Sequence, residues 1–234
     1  MLSIIIITKN EEKCLPRLLE SLITQTYKDF EVIVSDAKST DRTREIATSY
    51  DCMIVDGGLP SVGRNNGARM AKGDLLLFLD ADVSLPKDFL EKSLEEFHKK
   101  EFICAGALFE PISERIFDKI LFFGSNLFIL AMQHFAPCAG GACIFVKKEI
   151  FNQVGRFNEQ FITSEDHAFV RECHKIGKFG ILRDKHVLLD VRRLEEEGRF
   201  KLIVKYAYEW AYKLISKDYS KKIVNYELHG VKNG

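Results

Sequence analysis

Two carboxylates stand one residue apart, directly after a short run of apolar residues. Asp80-Ala81-Asp82 follows the stretch 75–79, in which every side chain is apolar. Such a run favours a buried strand, whose end would leave both carboxylates at the edge of a sheet. Magnesium takes one or two carboxylates and completes its shell with water and substrate phosphates. The pair predicts a metal-diphosphate site, with helix capping before Pro86 as the alternative for one of the acids.

A third carboxylate, Asp36, follows a second predicted strand at 30–34. At the adjacent edge of the sheet its oxygens would accept hydrogen bonds from a base or a ribose. A turn or cap role is the alternative, because aspartate also stabilises turns after strands. Asp41 is interpreted as such a cap for the next helix.

Alternating strands and helices are predicted to position these acids. Strands are expected at 3–7, 30–34, 54–55 and 75–79. Helices are expected from Pro16, from Asp41 through Ser49, and over 61–71. This alternation is typical of a parallel α/β sheet, in which ligands bind beyond the carboxyl ends of the strands.

The second half of the sequence is less regular. Helices are predicted at 87–99 and 116–135, and strands at 102–108, 142–146 and 180–182. An amphipathic helix is predicted over 199–222, with seven basic against two acidic residues. Its apolar stripe comprises Ile203, Ala207, Trp210, Ala211 and Leu214.

Composition and charge exclude several classes of protein. The 234 residues are 46% hydrophobic, and 34 basic residues balance 34 acidic ones, so no overall field attracts nucleic acid. Six scattered cysteines lack the spacing of a zinc or redox dithiol, which favours reduced, buried thiols. The sequence shows no signal-peptide pattern and no uninterrupted apolar span, so we expect a cytoplasmic protein.

Several short motifs resemble, in order and spacing, the nucleotide-binding half of the family 2 glycosyltransferases, which have a GT-A fold. These motifs are Ser3 to Glu11, Asp36 with Ser39-Thr40-Asp41, Arg64-Asn65-Asn66-Gly67, and Phe78 to Asp82. The resemblance continues through Gly140-Gly141, Phe151 to Phe157, Ser164-Glu165-Asp166 and Gly177-Lys178. It covers about residues 3 to 182.

The resemblance implies a GT-A-type, Rossmann-like α/β fold with a mostly parallel central sheet flanked by helices. The catalytic domain would span 1–198, with a nucleotide-sugar-binding half at 1–83 and an acceptor-binding and catalytic-base half at 84–198. Residues 199–234 would form an amphipathic C-terminal helical extension and tail.

The resemblance also assigns roles to the acids. It implies that Asp36 meets the base, Asp80 lies near the ribose, and Asp82 with Asp80 holds Mg²⁺ or Mn²⁺ on the diphosphate. It implies that Asp166 is the catalytic base, oriented by Glu165. One carboxylate is chemically sufficient to take the acceptor proton during an in-line, inverting attack. Further contacts to the donor are predicted for Thr8, Asn10, Glu11, Lys38, Arg64, Asn65, Ala81, Gly140, Gly141, Arg192 and Arg193.

Some positions depart from the family pattern or stay open. Lys38 stands where the family often has a glycine. This difference leaves open whether the donor carries uridine or guanosine, although UDP is favoured. Lys38 would instead touch a phosphate. The third metal ligand is assigned to His186, with Asp190 as the other candidate and a structural histidine as the alternative. Arg192 and Arg193 suit a diphosphate, or else form a solvated pair.

The sequence therefore predicts an inverting, metal-dependent transfer of a sugar from a nucleoside-diphosphate sugar to a hydroxyl or lipid-phosphate acceptor. A sugar nucleotidyltransferase and a non-catalytic nucleotide-sugar-binding protein are the alternatives. The stretch 8–11 has no glycine, which argues against nucleotidyltransferases and dinucleotide-binding dehydrogenases. The apolar helix 116–135 and the basic helix 199–222 predict peripheral contact with the inner face of a membrane, with packing on the sheet as the alternative.

Overall fold

The computed structural model describes residues 1–161, 164–205 and 208. Its strands are β1 (Leu2–Thr8), β2 (Phe30–Asp36), β3 (Met53–Asp56), β4 (Leu75–Asp80), β5 (Val83–Ser84), β6 (Cys104–Ile112), β7 (Cys143–Lys147) and β8 (Phe179–Asp190). Its helices are α1 (Leu15–Ile23), α2 (Thr43–Ser49), α3 (Pro60–Met70), α4 (Phe89–Lys99), α5 (Ile116–Met132), α6 (Lys148–Gln153), α7 (Glu165–Ile176) and α8 (Arg192–Glu197). Residues 199–205 are also helical.

The first four strands form the parallel half of the sheet. β1 pairs in parallel with both β2 and β4, and β2 pairs in parallel with β3. Side chains of β1 alternate between the two faces: Ile4 and Ile6 pack with α1, whereas Ile5 packs with α3. The predicted alternation of buried strands and covering helices is confirmed in this half.

The second half of the sheet is mixed. β7 runs antiparallel to both β4 and β6, β8 runs parallel to β6, and β5 runs antiparallel to β8. The strand order is β3-β2-β1-β4-β7-β6-β8-β5. The predicted α/β sheet flanked by helices is confirmed, although the parallel arrangement holds without exception only from β1 to β4. Because β7 is reversed, the loop before it arrives at the carboxyl end of β4.

Two C-terminal segments differ from the predicted elements. β8 continues to Asp190, whereas the sequence predicted a strand only over 180–182. Its middle carries charged residues and lies after a register shift opposite β6, which hides the strand pattern. In the predicted helix 199–222, residues 199–205 are helical and Leu202 is buried. Four members of the predicted stripe, Ala207, Trp210, Ala211 and Leu214, lie outside the described residues.

All six cysteines lie in the described part of the chain, and all six are free thiols. Five are buried, and Cys52 is partly exposed. Burial raises the pKa of the Cys14 thiol to about 11, which leaves it protonated and unreactive at neutral pH. The structure agrees with the expectation of buried, reduced cysteines.

Candidate active site

Three predicted site residues meet where the first strands end. Thr8, at the end of β1, is paired in register with Asp36 of β2, and the preceding residue of β1 is paired with Asp80 of β4. The parallel strands therefore bring Asp36 and Asp80 to one edge of the sheet, as the sequence predicted.

Arg64 connects this edge to the second half of the molecule. It lies on α3 and is only 2% exposed. Its Nη2 donates to Asp80 Oδ1 at 3.0 Å and to the Gly141 carbonyl at 3.1 Å, and its Nη1 donates to Glu165 Oε1 at 2.5 Å. The sequence predicted that Arg64 contacts the nucleotide-sugar donor, but in the structure its guanidinium donates hydrogen bonds to protein groups.

The charges around Arg64 shift one another's pKa. Burial opposes the charge of Arg64, but Asp80, Glu165 and Asp166 outweigh it and raise the pKa of the guanidinium. Burial also raises the pKa of Asp80 and of Glu165, and Arg64 offsets part of each rise. The side chain of Asp80 is 35% exposed, so solvent moderates its shift. The site formed by Asp80, Glu165 and Asp166, called the cleft below, thus holds three carboxylates around Arg64, the one buried cation there among the described residues.

Asp166 lies in the first turn of α7, next to Glu165. The turn is entered through Ser164, whose φ of 54° places it in the left-handed region. Asp166 Oδ1 accepts a hydrogen bond from the His167 amide at 2.7 Å. A Cβ at Gly141 would stand 2.7 Å from Asp166 Oδ2, so this position excludes a side chain. Asp166 and Gly141 therefore pack against each other beside Arg64, and Asp166 keeps 15% of its side chain exposed.

Asp82 lies in a second acidic group beyond β4. Burial, together with the negative charges of Asp80 and Glu11, raises the pKa of Asp82 to about 7, and Arg192 opposes this rise. Arg192 Nη2 lies 3.1 Å from Glu11 Oε2. Asp82 and Asp80, which lie close enough to interact, are a suitable oxygen donor set for a divalent cation. Within the described residues no group of three His, Cys, Asp or Glu side chains forms a metal site, so water and phosphate would supply the other ligands.

His186 is not brought to the acid pair, contrary to expectation. Its Nδ1 lies 2.7 Å from Glu110 Oε1, in the middle of β8. The strand reaches Asp82 four residues later, where the Asp190 amide donates to the Asp82 carbonyl, and four strand residues span about 13 Å. Asp190 is nearer, but its carboxylate accepts from Arg17 Nη2 at 2.5 Å and from the Arg192 amide at 2.7 Å.

Asp36 is fully buried and holds the loop that follows β2. Its oxygens accept hydrogen bonds from Thr8 Oγ1 at 3.1 Å, from the amide and hydroxyl of Ser39, and from Arg44 Nη1 at 3.2 Å. Asn10 fixes the same loop by accepting from the Thr40 amide at 2.9 Å. Asp36 and Asn10, which the sequence predicted to contact the nucleotide-sugar donor, therefore bind other groups of the protein.

The other predicted donor residues divide into two groups. Lys38 is exposed, and Arg193 lies close enough to Asp80 to lower the pKa of that carboxyl. Ala81 is buried, and Asn65 is committed elsewhere: its amide donates to the Phe157 carbonyl at 2.9 Å and accepts from the Phe157 amide at 3.1 Å. Asn65 therefore anchors a loop.

Gly140 is required by packing. A Cβ at this position would lie 2.7 Å from the ring of Phe109 on β6. Two residues near the site, Arg17 and Arg44, were not predicted. Arg17 is 173 residues away from its partner Asp190, so no local sequence signal reports the contact.

Comparison with known proteins agrees with this architecture. The family profile described as Glycosyl transferase family 2 matches residues 3–155. An uncharacterized glycosyltransferase of Haemophilus influenzae is 32% identical over 185 residues, covering 73% of this chain and 60% of that protein. The chain thus spans less than two thirds of the length of this relative.

Two solved structures share the fold. S. aureus TarS in complex with UDP has a TM-score of 0.67 and 21% identity, over 81% of this chain and 60% of that chain. A mannosyltransferase of Pyrobaculum calidifontis, in complex with GDP-Man and Mn²⁺, has a TM-score of 0.65 and 20% identity, over 80% and 56%. These similarities show the expected GT-A fold. With the family profile matching well over half of the sequence, the chain belongs to glycosyltransferase family 2.

Proposed function

We propose that this protein transfers a sugar from a nucleoside-diphosphate sugar, with UDP preferred to GDP, to an acceptor oxygen with inversion at the anomeric carbon. The observation that carries the proposal is the meeting of Asp80 and Asp166 around the buried Arg64. Arg64 bonds Asp80 directly and reaches the turn of Asp166 through Glu165 and Gly141. Asp80, which is assigned to the diphosphate, and Asp166, which is assigned as the general base, therefore face the same cleft.

In the proposed mechanism Asp166 is the general base. A hydroxyl acceptor donates its proton to the Asp166 carboxylate while the acceptor oxygen attacks the anomeric carbon. The bond from that carbon to the diphosphate breaks in the same displacement, and the nucleoside diphosphate leaves with the bonding electrons. A lipid-phosphate acceptor is already ionised and needs no such base. Glu165 and Gly141 hold the turn that orients Asp166.

We assign Asp82, with Asp80, to a divalent cation, Mg²⁺ or Mn²⁺. The raised pKa of Asp82 supports this assignment, because burial and neighbouring negative charge favour the acid form until positive charge arrives. A cation bound there would offset the charge of the departing diphosphate. Arg192 and Arg193 stand beside the acids and supply guanidinium donors to the same phosphates.

We place the reaction in the cytoplasm, on a hydroxyl or lipid-phosphate acceptor. Six free cysteines, five of them buried, are the composition of a protein kept in a reducing compartment. We assign uridine as the nucleoside of the donor. UDP and GDP-Man are the ligands of the two similar structures, so the base has to be measured.

The decisive experiment is thermal unfolding of the full chain with UDP, GDP, CDP or dTDP, each with and without Mn²⁺. At a hundred times its dissociation constant a ligand adds about 2.7 kcal/mol, which raises the unfolding midpoint by about 5–10 °C in a chain of this length. We expect the largest shift with UDP and Mn²⁺ together.

The matched control for this measurement is Asp82→Asn. We expect this variant to keep the small metal-free shift and to lose the increment that Mn²⁺ adds. Equal shifts with and without Mn²⁺ in the unaltered protein would contradict the metal assignment. A larger shift with GDP than with UDP would overturn the choice of base and leave the rest of the proposal standing.

A further inference from the structure

The long helix α5 presents apolar side chains to solvent. Six of them are between 41% and 75% exposed: Ile116, Phe117, Ile120, Phe123, Leu127 and Phe128. All 17 residues of this helix belong to the described part of the chain, and Asp118 is the one that is fully buried. Phe122, Ile129 and Leu130 of the same helix pack against the core, so α5 is apolar on its solvent side as well as on its core side, whereas the solvent side of a surface helix is usually polar. An exposed apolar face of this kind marks a contact surface.

The shape of this apolar face favours a flat partner. Successive helical residues are rotated by about 100°, so the six side chains spread over a sector of about 140°. A helix that pairs with one other helix usually needs only the narrow stripe of a coiled-coil seam. A sector this wide is typical of a helix that lies in the interface of a bilayer.

The two helices themselves, α5 and 199–205, carry four basic residues, Lys119, Arg199, Lys201 and Lys205, against one acid. Asp118 is the sole acid in α5 and in 199–205, and it is neutralised by Arg199, whose Nε and Nη2 lie 2.6 and 3.0 Å from its oxygens. Lys119 and Lys201 are exposed, and Lys119 Nζ lies 3.4 Å from Glu114 Oε2 just before α5. Residues 199–222 carry seven basic against two acidic residues. This charge complements anionic lipid headgroups.

A second, smaller apolar group lies on the neighbouring helix. Phe200 and Val204 are 78% and 52% exposed, and their four-residue spacing places them on one helical face; Tyr208 is 59% exposed. The ion pair of Arg199 with Asp118 fixes the start of this helix against α5. The two exposed apolar groups therefore belong to adjacent elements.

The apolar helix flanks the side of the cleft that carries the base. The side chain of Asn126 on α5 binds both the amide and the carbonyl of Phe109, at 3.1 and 2.8 Å. The ring of Phe109 packs on Gly140, and Gly141 packs on Asp166. A short chain of direct contacts thus links the exposed helix to the proposed general base.

We propose that α5 and the helix at 199–205 form a docking surface for an anionic lipid bilayer, and that the acceptor is a lipid presented from that bilayer. The inference rests on the proposed function, because it names the acceptor class of the same site. Contact is peripheral, since the described residues contain no helix with the length and apolarity to cross a bilayer. The apolar face holds the cleft at the depth of the headgroups.

The test is flotation of the full chain with vesicles of phosphatidylcholine and phosphatidylglycerol. The variant Ile120→Ser, Phe123→Ser, Leu127→Ser removes the centre of the apolar face. Its positions are exposed, so folding should tolerate it. The matched control, Ile23→Ser, Met70→Ser, Ile176→Ser, removes three other side chains that are 60%, 50% and 45% exposed. We expect the wild type and the control to float with the vesicles. The affinity of the α5 variant for the vesicles should be lower by a factor of about ten or more.

Two outcomes would overturn the inference: absence of flotation by the wild type, or equal flotation of the α5 variant. Dimeric wild type alongside a monomeric α5 variant, without flotation, would assign the face to a second copy of the chain. The thermal shift with UDP and Mn²⁺ separates this inference from the proposed function. We expect it to be unchanged in the α5 variant, whereas its absence in the wild type would refute the proposed donor independently of flotation.

Discussion

At the scale of single residues, Arg64 holds the cleft together. One buried guanidinium binds Asp80 from the parallel half of the sheet, Glu165 from α7, and the carbonyl of Gly141 from the loop before β7. Three acceptors in different directions match the fixed fork of an arginine, and an ammonium group lacks that geometry. Arg64 is therefore a positioning residue for the proposed base.

We predict that Arg64→Lys keeps the charge but loses the bridge. Losing charge-assisted hydrogen bonds in a buried site costs about 1–3 kcal/mol, and kcat should fall more than the KM of the donor changes. The control is Arg69→Lys on the same helix, where the arginine is 53% exposed. If thermal unfolding and kinetics do not separate the two variants, Arg64 has no positioning role.

We predict that Asp166→Asn retains donor binding and loses turnover of a hydroxyl acceptor. Removing a general base costs about 10²- to 10⁴-fold in rate. The shift of the unfolding midpoint with UDP and Mn²⁺ should stay, because Asp166 is assigned to the acceptor and not to the metal or the diphosphate. Full turnover in the variant would remove Asp166 from the mechanism. Binding without turnover in the wild type, across hydroxyl and lipid acceptors, would instead favour the non-catalytic alternative.

The site was only partly predictable from the sequence at this scale. Asp80 and Asp36 follow buried apolar runs, so their position at one sheet edge was evident before the structure. Asn65 was assigned from motif position and His186 from its place after the predicted strand 180–182, and the structure engages them with Phe157 and with Glu110. Contacts between residues far apart in sequence, such as Arg17 with Asp190, depend on the completed fold.

At the scale of elements, α5 carries a buried ion pair. Asp118 is fully buried and accepts hydrogen bonds from Arg199 and from Ser113 Oγ. The hydrogen bonds from Arg199 are the main reason that the pKa of Asp118 lies below its ordinary value. The carboxylate therefore contributes to stability in its ionised form.

This contribution should depend on pH in a defined direction. A depressed folded-state pKa adds stability above the unfolded-state value, about 3.9, and the contribution is lost as the pH falls through the folded-state pKa. We predict that Asp118→Asn has a lower unfolding midpoint than wild type at pH 7, and that the difference shrinks below about pH 4. Glu172→Gln, at an exposed pair, is the control. A difference that is constant with pH would rule out an electrostatic origin.

Elements were predicted best where burial was simplest. The strands β1 and β4 are almost continuous apolar runs, so their positions followed from composition alone. α7 was missed because its buried residues, Phe169, Val170 and Cys173, are few among charged neighbours. β8 was shortened because charges interrupt its middle. Pairing with β6 stabilises that segment, and local sequence does not encode this pairing.

At the scale of the whole molecule, the α/β class was predictable and the direction of β7 was not. A helix and a long loop separate β7 from β6, and a connection of that length permits either direction. The predicted halves at 1–83 and 84–198 are joined within the sheet. β4 belongs to the first half and β7 to the second, yet they form one ladder over five residue pairs.

That ladder restricts how substrates can enter and leave. Two lobes joined by a flexible hinge can swing apart, but here any such opening would have to break backbone hydrogen bonds in the interior of the sheet. Exchange of donor and product must therefore rely on movements of the segments that border the cleft, around a rigid platform. Altering the length of those segments, and leaving the strands untouched, is the route by which acceptor preference can be re-engineered.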